Sequence, residues 1–390
     1  MSNIIKESFN IDLNVLSIFG LYITGNNSAF FKVRAYALYF FLLVMGTILI
    51  LTNLILKNNI SGMQMNLMVT YVVETMSIWF KVLPFIRNGE RIKKCIDFFG
   101  QSDFAPRDTQ EQEIIDECVA ICRRNCTAYF CGIIITVILW NVPVYFGKEK
   151  TFPVQLWLPY DPISSSLIYY GTLFYATAVI MYDALLGTVT DPLIGGLAYH
   201  ATAQLKILKY NLQTLDKHIE DGSDTNRNEF KIINYKTAYK HLKHCINHHN
   251  NILSFVVEYE ECFSGCVFWQ MAGSLLSLCF CCIGLTLATV ASVNALTYLF
   301  SASIISFQIL FYCHYGTLLY EENNSLINAI CMGPWYQYDV KIRKMLLIIM
   351  ERSKRPMILT AGAVINVTLE TFVWVLKSSY SLVAVLNNYG

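Results

Sequence analysis

Seven long apolar stretches, separated by charged connections, run along the 390 residues of this chain. A helix needs roughly 20 mostly apolar residues to cross a bilayer, and each stretch is long enough. The stretch from Phe263 to Tyr320 has no charged residue, so we interpret it as two spans joined by a tight turn near Ser292. The predicted spans are about 35–56, 63–83, 127–146, 163–186, 263–290, 296–320 and 358–386.

Composition supports a membrane protein. Hydrophobic residues make up 55% of the chain and charged residues 15%, whereas soluble domains carry about 25% charged residues. The net charge of +1 gives no reason to expect a nucleic-acid partner. Residues 1–34 show a scattered apolar pattern that predicts a short amphipathic helix, and residues 35–390 form one membrane domain. The predicted fold class is therefore an all-α membrane protein with seven transmembrane helices.

The distribution of basic residues predicts the orientation. Of the 29 Lys and Arg residues, 24 fall in the N-terminal segment and in the three long connections, and only Lys57, Lys148 and Lys150 fall in the short connections. Basic residues concentrate on the cytoplasmic side of a membrane protein. The N-terminus is therefore predicted to be cytoplasmic and the C-terminus extracellular.

This orientation argues against a G-protein-coupled receptor, whose N-terminus lies outside. The chain also has no Asp-Arg-Tyr box after its third span and no Asn-Pro-x-x-Tyr near the end of its seventh. No Ser/His/Asp arrangement, paired carboxylates in a cleft or glycine-rich phosphate loop is recognisable, so we expect no enzymatic activity. A secondary transporter would show two related halves, and no such repeat is recognisable.

The C-terminal third carries a longer and more specific pattern. It includes Cys313 with Gly316, Trp335, the run IMERS at 349–353 and the run LKSSYS at 376–381. In these features, and in its overall layout, the chain resembles the insect odorant receptor family. The family's shared co-receptor has a large insertion in the second intracellular loop that this chain lacks. The resemblance is therefore to a ligand-tuning subunit.

The resemblance implies a ligand-gated, non-selective cation channel. Four subunits, including the odorant co-receptor, would surround one pore, in the plasma membrane of olfactory sensory neurons. Each subunit would bind a small volatile ligand in the outer part of its helical bundle, and no cofactor is implied. Two alternatives stay open: a gustatory-type receptor channel, although the gustatory C-terminal signature is missing, and a metabotropic chemoreceptor of reversed topology.

The outer part of the seventh span is expected to line the pore. Helical spacing places four of its side chains on one face, where an apolar ring could close the pore by dewetting and an amide could contact a partly hydrated ion. Glu370 and Lys377 share another face and suggest an ion pair between subunits. The predicted pore residues are Ser379, Val383, Leu386 and Asn387.

A mostly apolar pocket with a few polar groups is expected among the second, third, fourth and sixth spans. Aromatic walls suit volatile ligands because dispersion contacts then supply most of the binding energy. The predicted ligand-binding residues are Tyr71, Thr75, Leu139, Trp140, Tyr170, Phe174, Ser303 and Phe307.

Two cytoplasmic segments have distinctive patterns. Residues 339–352 present an apolar stripe that suits a helix stabilising the tetramer, or alternatively a helix on the membrane surface. His241, His244, Cys245 and His248 have a spacing that could ligate zinc. They lie in a charged helix and partly match the family pattern, so we predict no metal site there.

Overall fold

The structure is a computed structural model of the chain. It describes residues 7–21, 29–56, 62–87, 89–146, 150–215, 227–288, 293–333 and 335–389. Side chains are described throughout these ranges except at 139, 140, 142, 143, 145, 146, 227–236, 293, 294 and 382–389.

Helices form nearly all of the described chain. A π-helical stretch, Tyr39–Val44, joins the helices Ala29–Leu38 and Met45–Leu56. The helices are α1 (Asn10–Ile18), α2 (Ala29–Leu38), α3 (Met45–Leu56), α4 (Gly62–Arg87), α5 (Gly89–Phe98), α6 (Thr109–Phe146), α7 (Ser166–Gln213), α8 (Arg227–Leu287), α9 (Val293–Met332), α10 (Val340–Ser353) and α11 (Leu369–Tyr389).

Six of the predicted spans fall on described helices that are long and apolar enough to cross a membrane: α2 with α3, α4, α6, α7, α8 and α9. The seventh falls on α11, whose 21 residues would extend about 31 Å at 1.5 Å per residue, enough to cross the hydrocarbon core. The all-α fold class is confirmed. Several helices continue well past the apolar stretch that predicted them, and α7 and α8 reach 48 and 61 residues.

Helix α7 is the central helix of the bundle. It begins after Ser165, whose hydroxyl accepts a hydrogen bond from the Ile168 amide, and it continues through Pro192. From Leu186 to Leu205 every residue of α7 is buried, because α6, α8 and α9 pack around it. A helix that is enclosed on all sides can carry polar side chains only where neighbouring helices supply partners.

The short N-terminal helix α1 packs against α6 and α7. Phe9 lies against Gly196, where a Cβ atom would overlap the ring, and Ser8 Oγ lies 3.1 Å from His200 Nε2. The Cys126 thiol donates to Asp12 Oδ2 over 2.8 Å. Burial raises the pKa of the Asp12 carboxyl to about 7, although the thiol hydrogen bond acts in the opposite direction.

A β-hairpin occupies the start of the seventh predicted span, so the expectation of a helix from 358 is corrected. Strands β1 (Thr360–Ala361) and β2 (Ile365–Asn366) pair antiparallel, and Gly362 and Ala363 between them both have positive φ. Glu260 Oε1 of α8 accepts from the amide and the hydroxyl of Thr360, at 2.7 and 2.9 Å. Because these bonds hold the segment extended, α11 begins only at Leu369.

The stripe predicted on residues 339–352 lies on α10, but it packs inside its own chain. Ile342, Leu346 and Ile349 are buried in the core that α10 shares with α8 and α9, which corrects the expectation that this stripe faces another subunit or the membrane. Leu347 and Ile348 lie on the opposite, exposed face of the helix.

Candidate ligand cavity

A cavity of about 380 Å³ lies within the bundle, a volume typical of small-molecule sites. Its walls come from α4, α6, α7 and α9, with one side chain from α8, and they are predominantly apolar. Ile78 of α4, Val137 of α6 and Ile180 of α7 are among the apolar wall residues. The cavity therefore lies between four long helices.

The structure brings four of the predicted ligand-binding residues together. Tyr71 and Thr75 line the α4 wall, and Ser303 and Phe307 line the α9 wall. Phe307 is 51% exposed, so this side of the cavity reaches the surface of the chain. The Phe307 ring lies 5.5 Å from the ring of Tyr129, a further wall residue. That the four predicted residues contact a ligand stays a prediction.

Two predicted residues of α7 do not line the cavity. Tyr170 and Phe174 are 66% and 78% exposed and point away from the bundle. Their neighbours Tyr169 and Leu173 are buried instead, but in a separate cluster with Val144. The α7 wall of the cavity begins only at Ile180. Leu139 and Trp140 lie outside the described side chains.

A fully paired carboxylate lies beside the cavity. Asp191 Oδ1 accepts from Lys81 Nζ at 2.6 Å and from the Tyr312 hydroxyl at 2.5 Å, and its Oδ2 accepts from Gln308 Nε2 at 3.1 Å. The side chains of Lys81 and Asp191 are 2% and 0% exposed. The pair joins α4 to α7, and the Tyr312 and Gln308 bonds join both to α9.

A second carboxylate of α7 faces the cavity directly. Asp183 is 3% exposed, and its Oδ2 accepts from the Tyr71 hydroxyl at 2.6 Å and from Thr75 Oγ1 at 3.5 Å. No donor from the described part of the chain reaches its Oδ1. Glu74 of α4 also lines the cavity, and its Oε1 likewise has no donor among the described residues.

Sequence reasoning did not include Glu74, Lys81, Asp183, Gln270 or Gln308 among the site residues. The signal for three of them was present, because Glu74, Lys81 and Asp183 are ionisable residues inside apolar stretches, and such residues usually face a cavity or a protein interior. Gln270 and Gln308 carried no comparable signal, since an uncharged amide in an apolar helix is compatible with many environments.

The predicted pore residues lie on α11. Ser379 is buried against α8 within its own chain: its Oγ donates to the Val375 carbonyl, and its carbonyl lies 3.9 Å from Cys279 Sγ. Its side chain is therefore enclosed within the single chain rather than placed on an open surface. Val383, Leu386 and Asn387 lie outside the described side chains, so a pore-lining role for this face stays a prediction. Glu370 and Lys377 are both exposed on the single chain.

The histidine run of α8 is occupied by protein contacts. His244 Nδ1 lies 2.8 Å from Arg107 and His248 Nε2 lies 2.8 Å from Gln204 Oε1. Among the described residues, the group with metal-ligand spacing is a different one. The ligand atoms of Cys118, Cys122 and His200, all buried, lie within 4.8 Å of one another.

The family model for the 7tm odorant receptors matches residues 59–380. Odorant receptor Or1 of Anopheles gambiae is 24% identical over 324 residues, which cover 79% of this chain and 77% of that protein. Odorant receptor 19a of Drosophila melanogaster is 24% identical over 258 residues, which cover 66% of this chain and 64% of that protein. Both relatives are named as receptors and not as enzymes.

A solved structure shows the same fold. The insect olfactory receptor OR5 of Machilis hrabei in complex with eugenol superposes with a TM-score of 0.83 at 14% identity, over 98% of each chain. This fold, together with the six long apolar helices, is that of a multi-pass membrane protein. Since the family model covers most of its length, this chain belongs to the 7tm odorant receptor family.

Proposed function

We propose that the chain is the ligand-tuning subunit of an odorant-gated cation channel. The observation that supports this most directly is the cavity between α4, α6, α7 and α9, which has the volume and the apolar walls that a small volatile ligand requires. The Machilis hrabei receptor, which has the same fold, was solved in complex with eugenol, a small organic molecule.

In the proposed assembly, this chain forms a heterotetramer with the odorant co-receptor in the plasma membrane of olfactory sensory neurons. Its N-terminus is cytoplasmic and its C-terminus extracellular, in agreement with the bias of Lys and Arg toward the long connections. The outer part of α11, with Val383, Leu386 and Asn387, then lines the pore.

A ligand in the cavity can act on the pore through α8 and α9. Both helices pack against α11, and both carry side chains that line the cavity, Gln270 on α8 and Phe307 on α9. A ligand that fits better when these helices are displaced shifts the equilibrium toward that arrangement. Gating requires this differential affinity.

The test is whole-cell current in cells that express this chain with the co-receptor, across a panel of volatile ligands. A cation current that persists under G-protein blockade supports the channel, and a response that disappears under blockade supports the metabotropic alternative. Current from the chain alone, without the co-receptor, contradicts the heteromer. Substitution of Asn387 is expected to change the reversal potential. If it does not, the co-receptor supplies the pore.

A further inference from the structure

Three polar residues of the cavity wall have one feature in common: each has a buried acceptor oxygen without a donor in the described chain. Asp183 is 3% exposed and presents Oδ1 with no donor from the described chain, although its Oδ2 is bonded to Tyr71 and Thr75. Glu74 comes one residue before Thr75 on α4 and lines the same cavity. Its Oε1 also has no donor from the described chain. Both oxygens are shielded from solvent and lie on facing helices.

A third acceptor comes from Gln270, which is 1% exposed. The Asp191 carboxylate accepts from Gln308 Nε2, so the Gln308 amide must point its Oε1 the other way, where it accepts from Gln270 Nε2 at 3.3 Å. The same Gln270 nitrogen also bonds Ser274 Oγ at 2.8 Å. This relay fixes both amides, and it leaves Gln270 Oε1 as an acceptor without a donor in the described chain.

The ionisable side chains of the cavity are also unequal in number, with more carboxyls than cations. Among the described side chains, Lys81 is the only Lys or Arg that lines the cavity, and it is paired with Asp191 at 2.6 Å. Tyr312 and Gln308 complete the shell of Asp191. The carboxyls of Glu74 and Asp183 therefore have no cationic partner in this wall. A buried carboxylate is unfavourable unless a donor or a cation satisfies it.

We propose that the ligand of this cavity is a small protonated primary amine with an apolar body, its ammonium group placed between Asp183, Glu74 and Gln270. An ammonium group offers three N–H donors and one positive charge, which match three acceptor oxygens and two carboxyls that have no cationic partner. An alcohol offers one O–H donor and no charge, and a hydrocarbon offers neither. The apolar body contacts the walls near Ile180 and Phe307.

This inference rests on the proposed function for its electrical readout and names the ligand class of the same site. The experiment compares three ligands of similar size, 2-phenylethylamine, 2-phenylethanol and ethylbenzene, on cells expressing the chain with the co-receptor at pH 7.4. The half-maximal concentration of the amine is expected to be at least about tenfold lower than that of the alcohol, because hydrogen bonds to charged groups are the stronger ones.

Two near-isosteric variants test the site itself. Asp183→Asn and Glu74→Gln keep the shape of each side chain and remove its charge, so each is expected to raise the half-maximal concentration of the amine at least about tenfold while shifting that of the alcohol less than about threefold. Asp97→Asn, an exposed Asp outside the cavity, is the matched control and is expected to shift neither.

A second readout separates this inference from the channel. The purified chain in detergent is heated with each ligand, and the amine is expected to raise its melting temperature more than the alcohol does, an effect that Asp183→Asn removes. Amine stabilisation without any current would overturn the channel and leave the ligand class standing. Robust currents evoked by the alcohol or ethylbenzene, with the amine weaker or with the variants unchanged toward it, would overturn the ligand class and leave the channel standing.

Discussion

Asp191 and Asp183 are both buried carboxylates of α7, about two turns apart, and their surroundings differ. Asp191 receives three donors, from Lys81, Gln308 and Tyr312, so both of its oxygens are satisfied by the chain. Asp183 lines a cavity and is satisfied on one oxygen, while its other oxygen is buried without a donor in the described chain. The difference separates two kinds of buried carboxylate: the completed shell of Asp191 joins three helices, and the incomplete shell of Asp183 lies at a cavity wall.

The largest effect is expected from breaking the completed shell. Lys81→Met leaves the Asp191 charge buried without its cation, and removal of one partner of a buried ion pair typically costs about 3–5 kcal/mol. We expect a markedly lower melting temperature of the purified chain in detergent and reduced delivery to the cell surface. Lys240→Met, which replaces an exposed lysine of α8, is the control. An unchanged melting temperature for Lys81→Met would mean that this pair does not join the helices.

A third buried carboxylate extends the comparison to the N-terminal helix. The pKa of Asp12 is raised to about 7 by burial, so the folded chain binds a proton more tightly than the unfolded chain, whose value is near 3.8. The docking of α1 is therefore most favourable below about pH 4 and weakens as the pH rises to about 7, by at most about 4 kcal/mol. Hydrogen exchange of α1 amides, measured from pH 5 to 8 with correction for the intrinsic rate, should show this loss of protection.

The substitution Asp12→Asn should remove that pH dependence, because an amide does not titrate. Asp97→Asn, at an exposed position of α5, should leave it intact. If α1 in the wild-type chain is equally protected at pH 5.5 and 7.5, the carboxyl is not the group that controls its docking.

A smaller effect is expected at the incomplete shell. Tyr71→Phe removes the hydroxyl that donates to Asp183 Oδ2 at 2.6 Å, and a hydrogen bond to a charged group contributes about 1.5–3 kcal/mol. We expect a corresponding loss of thermal stability in the absence of ligand. Tyr170→Phe removes the same hydroxyl from a side chain that is 66% exposed and does not line the cavity. An effect of Tyr170→Phe as large as that of Tyr71→Phe would contradict the assignment of faces on α7.

The smallest effect on stability is expected from substitution of Asp183 itself. Asp183→Asn should change the free energy of unfolding by less than about 1 kcal/mol, because it removes a half-satisfied buried charge while an amide oxygen can still accept from Tyr71. Asp191→Asn should be clearly destabilising, since it leaves Lys81 as a buried cation without its partner. Thermal melts of both variants without ligand decide this, and equal losses would remove the distinction between the two aspartates.

Much of the fold follows from the hydrophobic pattern, because a membrane span is encoded in the length of an apolar stretch. The pattern fails where neighbouring parts of the protein, rather than lipid, surround a segment. Helix α7 continues past its apolar stretch through Asp191 and Pro192, since neighbouring helices satisfy its polar groups there. The hairpin at 360–366 is as apolar as a span, and only Gly362 and Ala363, with positive φ, and the bonds to α8 make it extended.

The cavity was predictable only in part. The turn that places Tyr71 and Thr75 together on α4 follows from helical spacing, and both line the cavity. The orientation of α7 does not follow from spacing alone, because an apolar helix has no polar face to identify its solvent side, and Tyr170 and Phe174 were therefore assigned to the cavity although both are exposed. The Gln270 and Gln308 relay depends on contacts between different helices, which a single sequence does not record.

The hairpin before α11 has a mechanical consequence. Its first strand is bonded to Glu260 of α8 and its turn to Ser264 of the same helix. The Val367 carbonyl lies against Gly316 of α9, where even a methyl group would collide with it. One end of α11 is therefore anchored to two helices of the bundle. A tilt of about 5° around that anchor would displace the far end of a helix about 31 Å long by roughly 3 Å, and its near end scarcely at all. Any tilt about the anchored end would therefore be amplified toward the carboxyl end of the helix.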